Sequence, residues 1–195
     1  MKNSNQLALD RCPQCGIAAP TISAAWQGQA APRAGGPNKH WFVYFCASCG
    51  GAILTRSISV ENAEIAQMWP SQPTAAEELP PRARDYLNQA LSTIHAPAGS
   101  VMLTASAIDA MLKDQGLKDG SLNARIDTAA KNHLITQEMA AWAHEIRLDA
   151  NDQRHADEAA PMATRDDAER VIAFANALAQ FLYVLPARVA RGRKS

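Results

Sequence analysis

The sequence predicts a mainly α protein, in which a five-helix bundle follows a small β zinc ribbon. Two Cys-x-x-Cys-Gly motifs lie within the first 50 of the 195 residues, and they contain all four cysteines. From about residue 81 onward, apolar residues recur at helical spacing. The hydrophobic fraction of 47% is sufficient for a buried core in a chain of this length. We therefore divide the chain into a zinc ribbon (1–66), a linker (67–80), a helical bundle (81–190) and a basic tail (191–195).

The two cysteine motifs predict a metal site. Each motif presents two thiolates at a turn, and together Cys12, Cys15, Cys46 and Cys49 complete a tetrahedral zinc shell. The glycine after each second cysteine allows the turn to adopt a positive φ. We favour zinc over a disulfide pair or a redox motif. Because the protein supplies all four ligands, no open position remains for substrate, and we expect a structural Zn²⁺ with any catalysis elsewhere.

Three strands are predicted in the ribbon, at residues 21–27, 41–45 and 52–60, with a loop at 28–38. The second strand contains Trp41, Phe42, Tyr44 and Phe45. These rings could stack on bases, but in so small a module we expect most of them to form its core.

Start and stop signals delimit the five predicted helices. The helices are expected to begin at Pro81, about Ser100, Ser121, Thr136 and Thr164. Gly116 is expected to cap the second helix, and Thr164 with Asp167 to form a capping box. The last helix is expected to stop near Pro186, with Phe181 and Leu185 on its inner face. Short connections between five helices are typical of a bundle.

The charge balance gives only a weak indication of a partner. The net charge is zero, but residues 1–60 contain five Lys or Arg and one Asp, which gives 5 − 1 = +4. A four-thiolate zinc site contributes about −2, so a solvated surface explains this excess better than a polyanion partner. The first ten residues lack a signal-peptide pattern, and no run of eighteen apolar residues occurs. We therefore expect a cytoplasmic protein without a membrane partner.

The fourth helix is the segment most suited to chemistry. Its predicted core face contains Ile135, Met139, Trp142 and Ile146. A second face, within an arc of about 100°, contains His144, Arg147, Asn151, Arg154 and His155. A solvated helix face would account for this cluster. The functional alternative is a phosphate-binding surface with an imidazole that moves protons near neutral pH. The sequence contains no glycine-rich phosphate loop, nucleophile elbow or His-Glu-x-x-His signature.

The same helix carries a family resemblance. The run RLDANDQRH from Arg147 to His155 follows Trp142 and Ile146, and a later helix ends in LYVLP at Pro186. Together with the zinc ribbon, this arrangement resembles the bacterial domain of unknown function 4145 family over most of the chain. That family is similar to the HEPN (higher eukaryotes and prokaryotes nucleotide-binding) helical domains, many of which are dimeric, metal-independent endoribonucleases in antiphage defence systems and toxins.

The resemblance implies roles for three residues. Arg147 matches the arginine that binds the scissile phosphate, His155 matches the histidine that moves the proton, and Asn151 matches the polar position between them. His144 and Arg154 are candidate substrate-binding residues on the same face. The sequence departs from the nuclease pattern in having seven residues between Arg147 and His155, more than is usual, and in having apolar Leu148 after the arginine.

We expect an HEPN-like RNA-binding homodimer, with metal-independent endoribonuclease activity in an antiphage-defence or toxin setting as the leading hypothesis. RNA and other defence proteins are the expected partners. The alternative is a non-catalytic dimeric adaptor whose ribbon and bundle bind protein or nucleic-acid partners.

Overall fold

A computed structural model describes residues 1–57, 63–71, 73–155 and 159–193. It shows a helix-rich chain with one small antiparallel sheet, as the sequence predicted at this level. The chain divides into two compact units, Met1–Pro73 and Thr74–Ser195, and each is described by itself.

The first unit is a four-stranded antiparallel sheet in the order β1-β2-β3-β4. The strands are β1 (Ile22–Ala30), β2 (Lys39–Cys46), β3 (Ala52–Ser57) and β4 (Ile65–Trp69). Alternate residues of β2 and β3 point to one face, where Phe42, Tyr44 and Ile53 are buried. The N-terminal segment covers this face, because Leu7 packs in the same cluster and its amide donates to the carbonyl of Ile22.

A buried polar network fixes the N-terminal segment on the sheet. Asn3 Nδ2 donates to Ser57 Oγ at 2.9 Å, and Asn3 Oδ1 lies 3.1 Å from the Tyr44 hydroxyl. Thr55 also donates to Asn3 Oδ1. Satisfied polar groups of this kind cost little on burial and fix one arrangement of the segment.

Two details of the sheet differ from the sequence prediction. Residues 28–30 belong to β1, although they were assigned to a loop, because they pair with the start of β2 through Ala30 and Lys39. Residues 67–69 belong to β4, although they were assigned to the linker, because Trp69 pairs with Leu54 of β3. Both extensions are stabilised by cross-strand pairing, which a local pattern does not contain. Residues 58–60, predicted to continue the third strand, lie outside the described residues.

The second unit consists of helices around a common core. They are α1 (Pro81–Ser92), α2 (Pro97–Asp114), α3 (Leu122–Lys131), α4 (Gln137–His155), α5 (Arg165–Ala179), a π-helical turn (Gln180–Val184) and α6 (Leu185–Gly192). Helix α2 is central, since α1, α3, α4 and α5 all pack against it. Its buried residues include Val101, Ile108 and Met111.

Four of the predicted helix caps are confirmed, although α2 begins at Pro97, three residues before the predicted start. Gly116 has φ +90°, and the amide of Leu117 donates to the carbonyl of Leu112, as in a Schellman motif. Ser121 and Thr136 each accept a bond from the amide three residues later, at 3.3 and 3.2 Å. Thr164 and Asp167 form the expected capping box.

The end of the last helix was predicted wrongly. The α5, π-helical and α6 segments form one continuous helix, Arg165–Gly192, so Arg191 is helical rather than part of a tail. Pro186 does not stop it, because the carbonyl that its ring would crowd, four residues earlier, lies in the wide π-helical turn. The turn also changes the helix phase. Val184 is buried, whereas Phe181 and Leu185 are 43% and 47% exposed rather than inward.

This 28-residue helix is also long and apolar enough to cross a membrane by length and composition, with a mean hydropathy of 1.4 over its most apolar window. That window is 44% buried within the protein. Val171, Phe174 and Leu178 lie in the bundle core, so a core helix accounts for this composition.

Candidate functional site

The structure brings the four predicted cysteine ligands together. The Sγ atoms of Cys12, Cys15, Cys46 and Cys49 all lie within 4.8 Å of one another, and Cys12 and Cys49 are separated by 4.0 Å. Tetrahedral zinc with Zn–S bonds of about 2.3 Å places its sulfurs roughly 3.8 Å apart. All four thiols are free of disulfide bonds. The cluster therefore fits a four-coordinate metal ion such as zinc.

The two cysteine turns have the same backbone hydrogen bonds. Gly16 donates to the carbonyl of Cys12 and Gly50 to that of Cys46, both at 2.8 Å. Both glycines have positive φ, +74° and +68°, as the sequence predicted. The amide of Gln14 also donates to Cys12 Sγ at 3.4 Å. Two equivalent turns facing each other are what place four sulfurs in one shell.

The backbone also favours ionisation of one of these thiols. Amides of Cys49 and then Ser48 lower the pKa of Cys46 to about 7, and burial raises the pKa of Cys12. These amides favour the thiolate form of Cys46. Coordination by four thiolates requires the remaining thiol protons to be lost, which makes metal binding pH-dependent.

Sequence reasoning missed the residues that join the two turns. Gln14 Nε2 donates to the carbonyl of Ala52 at 2.8 Å and so links the first turn to β3. A Cβ on Gly51 would lie 2.6 Å from Gln14 Cγ and 3.1 Å from Cys49 Sγ. Gly51 directly follows a Cys-x-x-Cys-Gly motif, and no pattern in the sequence marks it. A glycine is required there because Gln14 of the other cysteine turn occupies the space that a side chain would need.

The core face of α4 overlaps the predicted one, since Ile135 and Ile146 are buried as expected, but it is centred on smaller residues. Ala140, Ala143, Ile146 and Ala150 are buried, whereas Met139 and Trp142 are only partly buried. The small alanines let α4 pack closely against α2 and α3, and this rotates the large side chains towards the edge. Trp142 packs there against Phe174, with ring centroids 4.9 Å apart.

The predicted site residues of α4 differ in burial. Asn151, Arg154 and His155 are exposed, whereas Arg147 lies between the buried Ala143 and Ala150 on the helix surface and is partly buried. Arg147 Nε is buried and has no hydrogen-bond partner. Among the described residues, Arg147, Arg154 and His155 form no ion pair. The helix therefore presents cationic side chains without neutralising carboxylates.

Three other charged groups of α4 have partners. His144 Nε2 lies 2.9 Å from Asp127 Oδ1 of α3, so this predicted substrate-binding residue already has a contact within the bundle. Asp149 accepts a bond from Arg170 of α5 at 2.7 Å, and Glu145 lies 3.8 Å from the same guanidinium. Glu145 and Asp149 are thus paired on the α5 side.

Arg154 lines a groove of 560 Å³ that sequence reasoning did not anticipate. Its charged lining residues are Arg82, Asp109, Lys113, Asp114, Arg125 and Arg154. Asp109 pairs with Lys113 at 2.6 Å and with Arg125 at 2.9 Å. Arg82 lies over the ring of Tyr86, 5.9 Å from its centroid, and has no carboxylate partner in the described chain. Arg82 and Arg154 are therefore the two unpaired cations of the groove.

Arg147 and His155 lie on one helix but at different heights. They are eight positions apart, which corresponds to about 12 Å along the helix axis. Neither residue lines the groove that contains Arg154. Within one chain, the structure does not place the arginine and the histidine side by side.

The comparison with protein families bears on the same helices. The family model of a domain of unknown function, DUF4145, matches residues 88–195. The chain belongs to the DUF4145 family. The match includes α2 through α6 and the whole of α4, so the DUF4145 part of the chain contains every predicted site residue except the cysteines. No curated protein and no solved structure matches the chain.

Proposed function

We propose that the DUF4145 unit is an HEPN-like module that binds RNA as a two-fold dimer, with Arg147 of one chain and the partner's His155 at one phosphate. The observation that carries the proposal is the set of unpaired basic side chains on α4. Arg147, Arg154 and His155 form no ion pair with a described residue, although other charged groups of the helix do.

The charge distribution favours a phosphate ligand. Arg170 pairs with Glu145 and Asp149 of α4, whereas Arg147 and Arg154 form no ion pair with a described residue. Arg147 Nε is a buried donor without an acceptor, a costly arrangement that a phosphate oxygen would relieve. Arg82 adds a second unpaired cation beside Arg154.

A dimer is needed because the single chain separates the two reacting groups. The distance of about 12 Å along α4 is too large for Arg147 and His155 to hold one phosphate side by side. Antiparallel pairing of two α4 helices about a two-fold axis brings each Arg147 towards the partner's His155. Leu148, which is 49% exposed on the same helix, supplies an apolar contact for such a seam.

The proposed chemistry uses the RNA's own hydroxyl. The partner's His155 accepts the proton from the 2′-hydroxyl, whose oxygen attacks the adjacent phosphorus. The bond to the 5′-oxygen breaks, and that oxygen receives a proton, leaving a 2′,3′-cyclic phosphate and a 5′-hydroxyl. Arg147 neutralises the negative charge that develops on the phosphoryl oxygens. A cytoplasmic role in RNA-directed defence belongs to the same proposal and is supported by the HEPN resemblance.

The test is RNA cleavage in EDTA, with product ends analysed, for the wild type, Arg147→Met and His155→Ala. Methionine keeps the partly buried stem of Arg147 and removes the charge. We expect each substitution to lower cleavage by 10²-fold or more. Arg188→Ala and His95→Ala remove the same groups from exposed sites elsewhere and should retain activity.

Two results would contradict this proposal. One is cleavage that survives His155→Ala, and the other is a wild-type dimer that neither binds nor cuts any RNA.

We also infer that the cysteine cluster holds one structural Zn²⁺ per chain. Its support is the 4.8 Å limit on the separations of four free thiols. In Cys49→Ser, we expect zinc to fall well below one per chain by elemental analysis, and the ribbon to lose its tertiary signal while the helical circular dichroism remains. A full zinc complement in this variant would contradict the assignment.

A dimeric adaptor without catalysis is the second candidate, and a specific observation favours it. Phe181, Leu185 and Val189 are all more than 40% exposed and follow one another at four-residue spacing along α5 to α6. An exposed apolar stripe of this kind is suited to packing against another helix. Phe181→Ala combined with Val189→Ala would dissociate the dimer if this stripe is the seam, whereas Leu148→Ala would do so if α4 is.

A further inference from the structure

The two faces of the ribbon sheet differ. One face carries Phe42, Tyr44 and Ile53 and is covered by the N-terminal segment through Leu7. The opposite face carries four aromatic side chains that stay at least partly exposed, and these are Trp26, Trp41, Phe45 and Trp69. We call this second surface the aromatic face.

The aromatic face is continuous across all four strands. Trp26 of β1 is opposite Val43 of β2, and Trp69 of β4 is opposite Leu54 of β3, so these side chains point to the same side. Trp41 and Trp69 stack with ring centroids 5.7 Å apart and planes at 28°. Trp26, Phe45 and Trp69 are 55%, 45% and 41% exposed. Large aromatic groups in so contiguous an exposed patch indicate a binding surface.

Trp26 lies flat along its own strand. A Cβ on Gly28 would come within 2.4 Å of the Trp26 ring, so the glycine provides the space that the indole occupies. Gly28 is also opposite Trp41 in the strand pairing. The ring of Trp26 therefore covers Gly28, the position opposite Trp41, and remains more than half exposed.

The charged groups of the aromatic face are cationic. Lys39 pairs with Ala30, and Arg56 lies between Trp41 and Gln67, on the same side as the indoles. Among the described strand residues that point to this side, none is Asp or Glu. Arg56 Nε is buried and lacks a hydrogen-bond acceptor, and neither cation forms an ion pair with a described residue.

We propose that the aromatic face binds single-stranded nucleic acid, with bases stacked on Trp26 and on the Trp41–Trp69 pair and phosphates at Arg56 and Lys39. Exposed indoles bind unpaired bases through their π faces, and adjacent cations bind the backbone between them. A duplex conceals its base planes and cannot use the rings in this way. The four strands span about 14 Å, so the face takes a few nucleotides.

This inference is independent of the proposed function, because it concerns the other unit of the chain. It is tested with full-length, zinc-loaded protein in the Arg147→Met background, so that binding to α4 does not mask the result. Fluorescence anisotropy measures the dissociation constant for a labelled single-stranded RNA, a single-stranded DNA of the same sequence, and the corresponding DNA duplex.

We expect Trp26→Ala and Trp69→Ala each to weaken single-strand binding by roughly tenfold or more, and Trp69→Phe to retain most of it. Arg56→Gln should reduce the slope of log affinity against log salt by about one. Met162→Ala removes a large exposed apolar side chain from the helical unit and serves as the control.

The single-stranded RNA and DNA arms show whether the sugar matters, and either preference agrees with the proposal. Equal affinity for the duplex, unchanged affinity in both tryptophan variants, or no binding at all would overturn it. Because the background already lacks Arg147, none of these outcomes depends on whether α4 binds RNA.

Discussion

Gly51 shows how strongly a single position can depend on a distant one. The residue lies two positions after Cys49, and its amide donates to Cys49 Sγ at 3.3 Å. Gln14 from the other cysteine turn occupies the space where a side chain would project. The sequence predicts the four ligands from their spacing, but it does not reveal that these turns touch at Gly51.

We therefore predict that Gly51→Ala weakens zinc binding, because the added methyl group would lie 2.6 Å from Gln14 Cγ and push the two turns apart. Competition with a chromophoric chelator measures the affinity, and a loss of tenfold or more is expected, comparable to other changes around metal ligands.

The matched control is Gly99→Ala in α2, where an added Cβ meets no atom within 4 Å. That substitution should leave zinc affinity unchanged and stabilise the helix by about 0.5–1 kcal/mol. Equal zinc affinities for the wild type and Gly51→Ala would show that the turns have room to move.

At the scale of elements, α4 illustrates what a periodic pattern can and cannot determine. Its existence, its start at Thr136 and its amphipathic character follow from the sequence. The rotation of the helix about its own axis does not follow from the sequence. A helical wheel dominated by the large apolar residues turns Trp142 towards the core, whereas most of the buried positions in the structure are alanines. Which residues of α4 fit against α2 and α3 depends on the shape of the surfaces that those two helices present.

A pair of leucine substitutions tests this packing. Ala143→Leu places three extra carbon atoms into a closely packed contact, and we expect it to lower the free energy of unfolding by about 2 kcal/mol. Ala141→Leu makes the same change at an exposed position of the same helix and should change stability by less than about 0.5 kcal/mol. Urea denaturation followed by circular dichroism measures both. The reverse order of effects would mean that the large residues form the core face after all.

The capping box of α5 gives a prediction that depends on pH. The Thr164 hydroxyl donates to Asp167 Oδ2 at 2.6 Å, the Thr164 amide donates to the same oxygen at 2.8 Å, and both lower the pKa of Asp167. A carboxyl whose pKa is lowered by folding stabilises the protein above its unfolded pKa, about 3.9, and loses that contribution as the pH falls further.

We expect Thr164→Ala to cost about 1 kcal/mol at pH 7 and less at pH 3, which lies below the unfolded pKa of about 3.9. Urea denaturation of both proteins at the two pH values measures this difference. Ser106→Ala is a suitable control, because its hydroxyl donates to a backbone carbonyl within α2 and has no titrating partner. A cost that is the same at both pH values would show that the carboxylate contributes nothing to the cap.

At the scale of the whole molecule, the features that depend on residues close together in the sequence could be predicted better than those that depend on contacts between distant segments. The cysteine spacing predicted the metal site, and caps with a 3.6-residue period predicted the helical unit. The fourth strand, the π-helical turn and the aromatic face were not predicted. Each depends on how a segment pairs with a neighbouring segment or is rotated relative to it. The fourth strand, for example, depends on the pairing of Trp69 with Leu54 of β3. The match to the DUF4145 family model covers most of the helical unit, but it assigns no activity because the function of this domain is unknown.

The central claim is that Arg147 acts together with the partner's His155, and mixed dimers test it most directly. Heterodimers of Arg147→Met and His155→Ala, purified through two different tags, contain one intact Arg147 and one intact His155 on different chains. If the two residues act across the dimer, the heterodimer regains a substantial part of the wild-type ribonuclease activity that both parent homodimers lack. A heterodimer as inactive as its parents, beside an active wild type, would contradict the account.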